Sequence, residues 1–189
     1  MVLAACQSDI AKVQAALSSN LDINSLSEHK GEGMTSLMAA SLNGKEDMVK
    51  FLIDKGADVN AKANDGTTAL MMASEEDQKE VVPMLLAKGA DVNAKSKEWS
   101  VTTVGDLGAL KTTHANGTTA LMVASQSGYK DIVKQLLLAK GIDVNAKSEK
   151  GQTALSLALS RLKVLRENGL EWAGKDLQDI VKLLEESAK

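Results

Sequence analysis

Residues 65–74 read DGTTALMMAS and residues 116–125 read NGTTALMVAS, two stretches that differ at only two positions. Weaker versions stand at 33–41, GMTSLMAAS, and at 151–160, GQTALSLALS. The threonine in each is Thr35, Thr68, Thr119 and Thr153, so successive spacings are 33, 51 and 34 residues. Self-similarity at such a period marks a unit that cannot bury its own apolar face and must stack on its neighbours. The middle spacing is one such period with about 18 further residues.

The units run on as GMTSLMAASLNGKEDMVKFLIDKGADVNAK, GTTALMMASEEDQKEVVPMLLAKGADVNAK and GTTALMVASQSGYKDIVKQLLLAKGIDVNAK. Leu37 with Ala40, and Leu70 with Ala73, recur at helical spacing and define a first helix. Val49, Leu52 and Ile53 define a second. Gly56, Gly89 and Gly141 follow the second helices, where a left-handed residue closes the helix and glycine does so without Cβ strain. Asn20 takes that place in an opening unit, whose Asp22-Ile23-Asn24 matches Asp58-Val59-Asn60. Pro83 falls early in a second helix, where its missing donor costs least.

Gly-x-Thr, a short helix, a central turn, a second helix and a closing Gly-x-Asp-Val-Asn together resemble the ankyrin repeat family. The resemblance extends over nearly the whole chain. It implies an all-α repeat solenoid of stacked helix-turn-helix ankyrin repeats with β-hairpin fingers. The expected division is a truncated capping repeat at 1–29, repeats at 30–62 and 63–95, a hairpin insertion at 96–113, a repeat at 114–147 and a carboxyl-terminal capping repeat at 148–189. In the last unit the step from Thr153 to Ile180 exceeds that from Thr119 to Ile132 by about 14 residues. A longer first helix through Arg166, a stop at Glu167-Asn168-Gly169 and a link carrying Trp172 accommodate them. Family members usually carry Pro-Leu-His after the threonine; Met38, Met71 and Met122 stand at the histidine positions here, which shifts the expected balance from a polar ladder to apolar packing.

Composition narrows the function. With 22 basic and 25 acidic side chains the net charge is −3, which provides no general field for nucleic acid or anionic membrane. No apolar run is long enough to cross a membrane. Cys6 is the only cysteine, so no intrachain disulfide is possible. The sequence suits the cytosol, although Leu3-Ala4-Ala5-Cys6 resembles a lipoprotein cleavage box and leaves a bacterial envelope origin open; small residues there equally suit a packed helix.

Chemistry is sparse. GLEWAGKD at 169–176 has the spacing of a phosphate-binding loop, but Asp176 replaces the magnesium-binding hydroxyl, a helix precedes in place of a strand, and Glu171 adds negative charge. His29 and His114 lie eighty-five residues apart without sulfur or carboxylate ligands in a metal-binding spacing. Cys6 has no evident base to activate it. No catalytic residue, cofactor or metal is therefore expected. Asn60, Asn93 and Asn145 resemble hairpin asparagines that some family members have hydroxylated, but asparagine favours this turn in any case.

The resemblance implies a binding scaffold whose hairpin tips and first-helix ends form a concave recognition surface. The hairpin positions are Glu32, Met34, Asp65, Thr67, Asn116, Thr118, Lys150 and Gln152; the helix positions are Leu42, Asn43, Glu75, Glu76, Gln126, Ser127 and Arg161. Glu75, Glu76 and Asp77 form an acidic step that suits a basic patch on a partner. In the insertion, Val101 to Val104 favours extended chain, Gly105 to Gly108 can turn and Ala109 to Thr113 can return, making an enlarged finger with Trp99, Leu107 and Leu110 as apolar anchors, Trp99 serving either a partner or a fold-back onto its own repeats. The expected function is noncatalytic binding of another protein by a monomer, with no nucleic acid and no membrane span. The alternative is an architectural or engineered stable scaffold that self-associates.

Overall fold

A computed structural model of the chain describes all residues except 28–32, 98, 106–107, 171–173 and 189, with backbone alone at 99–105 and 108–114. Among the described residues the helices come in pairs. They are α1 (Val2–Cys6) and α2 (Ile10–Ser18), α3 (Ser36–Leu42) and α4 (Glu46–Asp54), α5 (Ala69–Glu75) and α6 (Val81–Ala87), α7 (Ala120–Ser127) and α8 (Lys130–Leu137), and α9 (Ala154–Glu167) and α10 (Lys175–Ser187). The first helices stack as α1, α3, α5, α7, α9, and the second helices stack behind them as α4, α6, α8, α10. The result is a helical repeat solenoid with one continuous core running along it.

The recurring threonine starts each first helix. Thr35, Thr68, Thr119 and Thr153 sit in extended backbone as N-caps, and each Oγ1 accepts the N–H of the residue three positions on at 3.2–3.4 Å. This satisfies a donor that the helix start would otherwise strand. The residue that donates is Met38, Met71 or Met122 in three units, and these side chains are each 1% exposed. Packing has thus taken over the site, as the methionine substitution suggested. In the first of them the Sδ of Met38 also accepts from the Thr35 N–H at 3.4 Å. At the far end of the second helices, the expected left-handed closure is present at Gly56, Gly89, Gly141 and Asn20.

The glycine of Gly-x-Thr has a further reason to be glycine. Gly66 and Gly117 have φ of +77° and +79°, and a Cβ there would come within 3.3 Å of backbone in the next hairpin, at Lys97 and at Glu149. The hairpins pack edge to edge at these points: Lys97 N–H donates to the Asp65 carbonyl at 2.6 Å and Glu149 N–H to the Asn116 carbonyl at 2.8 Å.

Each closing asparagine ties one unit to the next. Asn24 Oδ1 accepts the Asp58 N–H, Asn60 Oδ1 the Asp91 N–H and Asn93 Oδ1 the Asp143 N–H, at 2.7–2.8 Å. In return the Asn60 amide donates to the Gly89 carbonyl at 3.0 Å and the Asn93 amide to the Gly141 carbonyl at 2.7 Å. The aspartate two residues earlier orients each asparagine, Asp58 accepting the Asn60 N–H and Asp91 the Asn93 N–H. The ladder crosses the insertion without a break.

The insertion leaves from an ordinary hairpin base. Ser96 N–H donates to the Thr118 carbonyl at 3.0 Å, as Ala63 N–H does to Thr67 and Ser148 N–H to Gln152 in the shorter hairpins. Beyond that base, β1 (Trp99–Gly105) pairs antiparallel with β2 (Gly108–His114), Trp99 opposite His114 and Gly105 opposite Gly108. The strands begin earlier than Val101 and end later than Thr113, the limits expected from residue propensity.

Pro83 shortens its helix. The helix containing it, α6, starts thirteen residues after its threonine, whereas α4 and α8 start eleven after theirs. Without an N–H, Pro83 cannot bond the Lys79 carbonyl. Gln135 of the next unit does so instead, its Nε2 donating to Lys79 O at 3.0 Å. Gln135→Ala is expected to cost about 1 kcal/mol, the loss of one partly buried hydrogen bond. That cost shrinks in a Pro83→Ala background, where the helix supplies its own donor; a double-mutant cycle in urea measures the coupling.

The last unit has an extended first helix. Its α9 continues through Glu167 and ends at Asn168 and Gly169 (φ +69°), and Lys130 of α8 then pins α10 by contacts of 2.8 Å to Asp176 and 3.0 Å to Asp179. The Lys130 ammonium holds the Asp176 carboxyl below the usual carboxylate range. Asp176, the residue that departs from the phosphate-loop pattern, therefore ties α10 to α8. Trp172, Glu171 and His29 lie outside the described residues.

Candidate partner-binding surface

Stacking brings the ends of the first helices and the hairpin tips into rows along one side of the solenoid. The row eight positions after each threonine is open to solvent: Asn43 and Arg161 are exposed, and Glu76 and Ser127 are partly so. Asn43 spends its amide on the Ala39 carbonyl at 2.8 Å, which finishes α3. One position earlier the surroundings tighten. Leu42 and Gln126 are half-buried, but Glu75 is only 4% exposed. Helical side chains lean toward the amino terminus, so the last residue of α5 folds back between its neighbours. Glu75 is therefore buried within the stack.

The hairpin positions divide in the same way. Asp65, Asn116 and Gln152 are partly exposed and Lys150 fully so, while Met34 is half-buried against the core. Thr67 and Thr118 are 0% and 2% exposed, because adjacent hairpins cover them, and the Thr118 hydroxyl donates to the Ala115 carbonyl at 2.6 Å. Asp65 accepts the Thr67 N–H at 2.9 Å, and the Asn116 amide donates to Glu149 at 2.8 Å, so both tips are braced. Glu32 and Leu107 lie outside the described residues; Trp99 and Leu110 are placed in β1 and β2 by their backbone.

Two features of this surface carry no signal in the repeat pattern. The first is a groove of about 560 Å³ at its amino-terminal end, where Met34 and Leu42 meet Leu3, Leu21, Leu26 and Cys6. Leu21 and Leu26 belong to no helix, so no periodicity marks them, and only their apolar character outside an element could have drawn notice. The second is the pairing of the acidic step with Tyr129, the half-buried residue preceding α8. Burial pushes the Tyr129 hydroxyl up, and Glu76, Asp77 and Glu75 push it further.

Glu76 and Asp77 are held in an unfavourable setting. Burial raises the Glu76 carboxyl above its ordinary range, with Glu75 adding to it, and burial is also the main cause raising Asp77, which Lys79 partly opposes. Asp77 further adopts φ +52°. For a carboxyl raised in the folded state, the native protein takes up its proton before the unfolded chain does, so stability rises as pH falls through the raised value toward the ordinary one. Glu76→Gln is accordingly expected to stabilise the chain at neutral pH and to flatten its stability profile as pH falls toward the ordinary carboxylate range, measured by urea unfolding across that range.

No His, Cys, Asp or Glu cluster able to hold a metal occurs among the described residues. Cys6 is half-buried, and burial pushes its thiol up, away from nucleophilic use. No described helix is long and apolar enough to cross a membrane.

A family profile described as ankyrin repeats (3 copies) matches residues 1–96 and 104–187. The chain belongs to the ankyrin repeat family. Ankyrin repeats are in general protein–protein interaction modules and typically noncatalytic. No curated protein matches the chain. The gap in the family match, 97–103, falls in the first part of the finger.

Proposed function

We propose that this ankyrin stack is a noncatalytic, monomeric binding module that holds one partner protein on its concave surface, with the enlarged finger as a second contact. The observation that carries this reading is the unbroken asparagine ladder on both sides of the insertion: Asn93 reaches Gly141 and Asp143 as Asn60 reaches Gly89 and Asp91. The finger adds nothing that stacking requires, and long loops retained on a rigid scaffold are a common place for function. The surface left after burial is taken into account runs from Met34 and Leu42 through Asn43, Asp65, Glu76, Asn116, Gln126 and Ser127 to Lys150, Gln152 and Arg161.

The test is quantitative affinity capture from a lysate of the source organism with two baits, the intact chain and a folded variant in which 96–113 is replaced by a short hairpin. One protein enriched by the intact chain and lost with the short hairpin assigns recognition to the finger. Equal enrichment assigns it to the concave helices. No enrichment by either, together with mass that grows with concentration, overturns the reading in favour of a self-associating scaffold.

A further inference from the structure

We infer that α6 and the turn leading into it, 76–80, form a releasable element, which opens and recloses while the row of first helices stays stacked, and that the Asp77 side chain sets how often it opens. This goes beyond the binding reading and does not depend on it. The turn departs from the pattern of its neighbours. Nine residues after the capping threonine, the units on either side place Gly44 and Gly128, at φ +61° and +88°, whereas this unit places Asp77 there, at φ +52°. Glycine takes that conformation freely, but a Cβ crowds the following carbonyl.

Asp77 is also poorly satisfied. Its Oδ1 is buried and accepts no hydrogen bond among the described residues, and its Oδ2 lies 3.4 Å from Lys79, an ammonium that Asp131 of α8 shares at 3.2 Å. A buried carboxylate oxygen without a donor forgoes what water supplies once the turn opens. Burial is the main cause raising the Asp77 carboxyl; Asp131 and Glu80 add to it and Lys79 opposes them. Glu75, Glu76 and, from the next unit, Tyr129 share this corner. From the preceding unit the contact on the turn is uncharged, the Leu42 carbonyl accepting Gln78 Nε2 at 3.0 Å.

The helix that follows is lightly tethered. α6 has seven residues against nine in α4 and eight in α8, and its Pro83 cannot bond the Lys79 carbonyl. The substitute donor, Gln135 Nε2, comes from the next unit, while Gln135 Oε1 stays buried without a hydrogen bond among the described residues. α5, by contrast, is buried along its whole length, Ala69 to Glu75, between α3 and α7. Opening therefore costs least when α6 leaves and α5 stays. The chain runs on from α6 to the hairpin base at Ser96, from which the finger rises, so release of α6 is a means of shifting the finger against the first helices.

The experiment is hydrogen exchange of the full chain read by mass spectrometry, with each rate divided by the intrinsic rate of its amide at that pH. Amides of α6 are expected to be about tenfold less protected than those of α4 and α8, and those of α5 as protected as those of α3 and α7. Asp77→Gly, which supplies the residue that the neighbouring turns use, raises α6 to the level of α8. A carboxyl raised in the closed form takes up its proton before the open form does, so α6 closes further as pH falls from neutral toward the ordinary carboxylate range. Asp77→Asn weakens that trend. The inference is overturned by α6 protection equal to that of α4 and α8, by protection that Asp77→Gly leaves unchanged, or by α5 exchanging together with α6, which would mean that the whole unit opens. A pH trend that survives Asp77→Asn intact takes its control away from Asp77. No partner enters the measurement, so each of these results leaves the binding reading standing.

Discussion

Met71→Ala lowers the free energy of unfolding by about 2–5 kcal/mol, the range for emptying a packed methionine site. Met71 is 1% exposed on α5, the middle of the five first helices, with α3 on one side and α7 on the other. The void therefore opens at two interfaces. In a stack whose units contact only their neighbours, weakening the centre also uncouples the ends. The expected trace in urea is an earlier transition that splits into two, followed by circular dichroism and by exchange of the flanking helices. Met71→Leu keeps the volume and the single transition, at a cost below about 1.5 kcal/mol. If alanine costs no more than leucine, the methionines are not the packing elements that replace the family's polar contacts.

Asn93→Ala costs about 1–3 kcal/mol, the sum of two hydrogen bonds to backbone at ordinary net values. It removes the amide donor to Gly141 and the acceptor for Asp143, the contacts that span the inserted finger. The control is Asn145→Ala. Asn145 occupies the same place in its unit, but the described residues give its side chain no partner in a following unit, so the change stays within about 0.5 kcal/mol. Chemical denaturation of both variants checks the pair. Equal effects would mean that the asparagines act through their own turns and not through the ladder.

Much of this was legible from the threonine spacing. A thirty-three-residue step, a cap threonine and a closing glycine place the α3–α4, α5–α6 and α7–α8 pairs, because each device acts within a few residues of chain. Recognition of the finger as an extended hairpin was legible for the same reason, since Gly105 to Gly108 can turn between two extended runs. The contact surface was only half legible. Glu75, Thr67 and Thr118 read as outward positions, yet each is buried by a neighbouring unit that the sequence does not place against it.

The asparagines show where the division falls. Each announces a turn on its own, through the aspartate two residues before it, and that reading needed nothing beyond local geometry. That Asn93 also reaches Gly141 and Asp143, 48 and 50 residues away, depends on the insertion folding out of the stack, and only the tertiary arrangement decides it. The same holds for Gln135 answering the donor missing at Pro83, and for Leu3, Leu21, Leu26 and Leu42 converging on one groove. The sequence by itself determined the repeat, its caps and its family, because these are short-range and periodic. Packing decided which surface residues remain available and what chemistry they offer, because burial is set by neighbours distant in the chain.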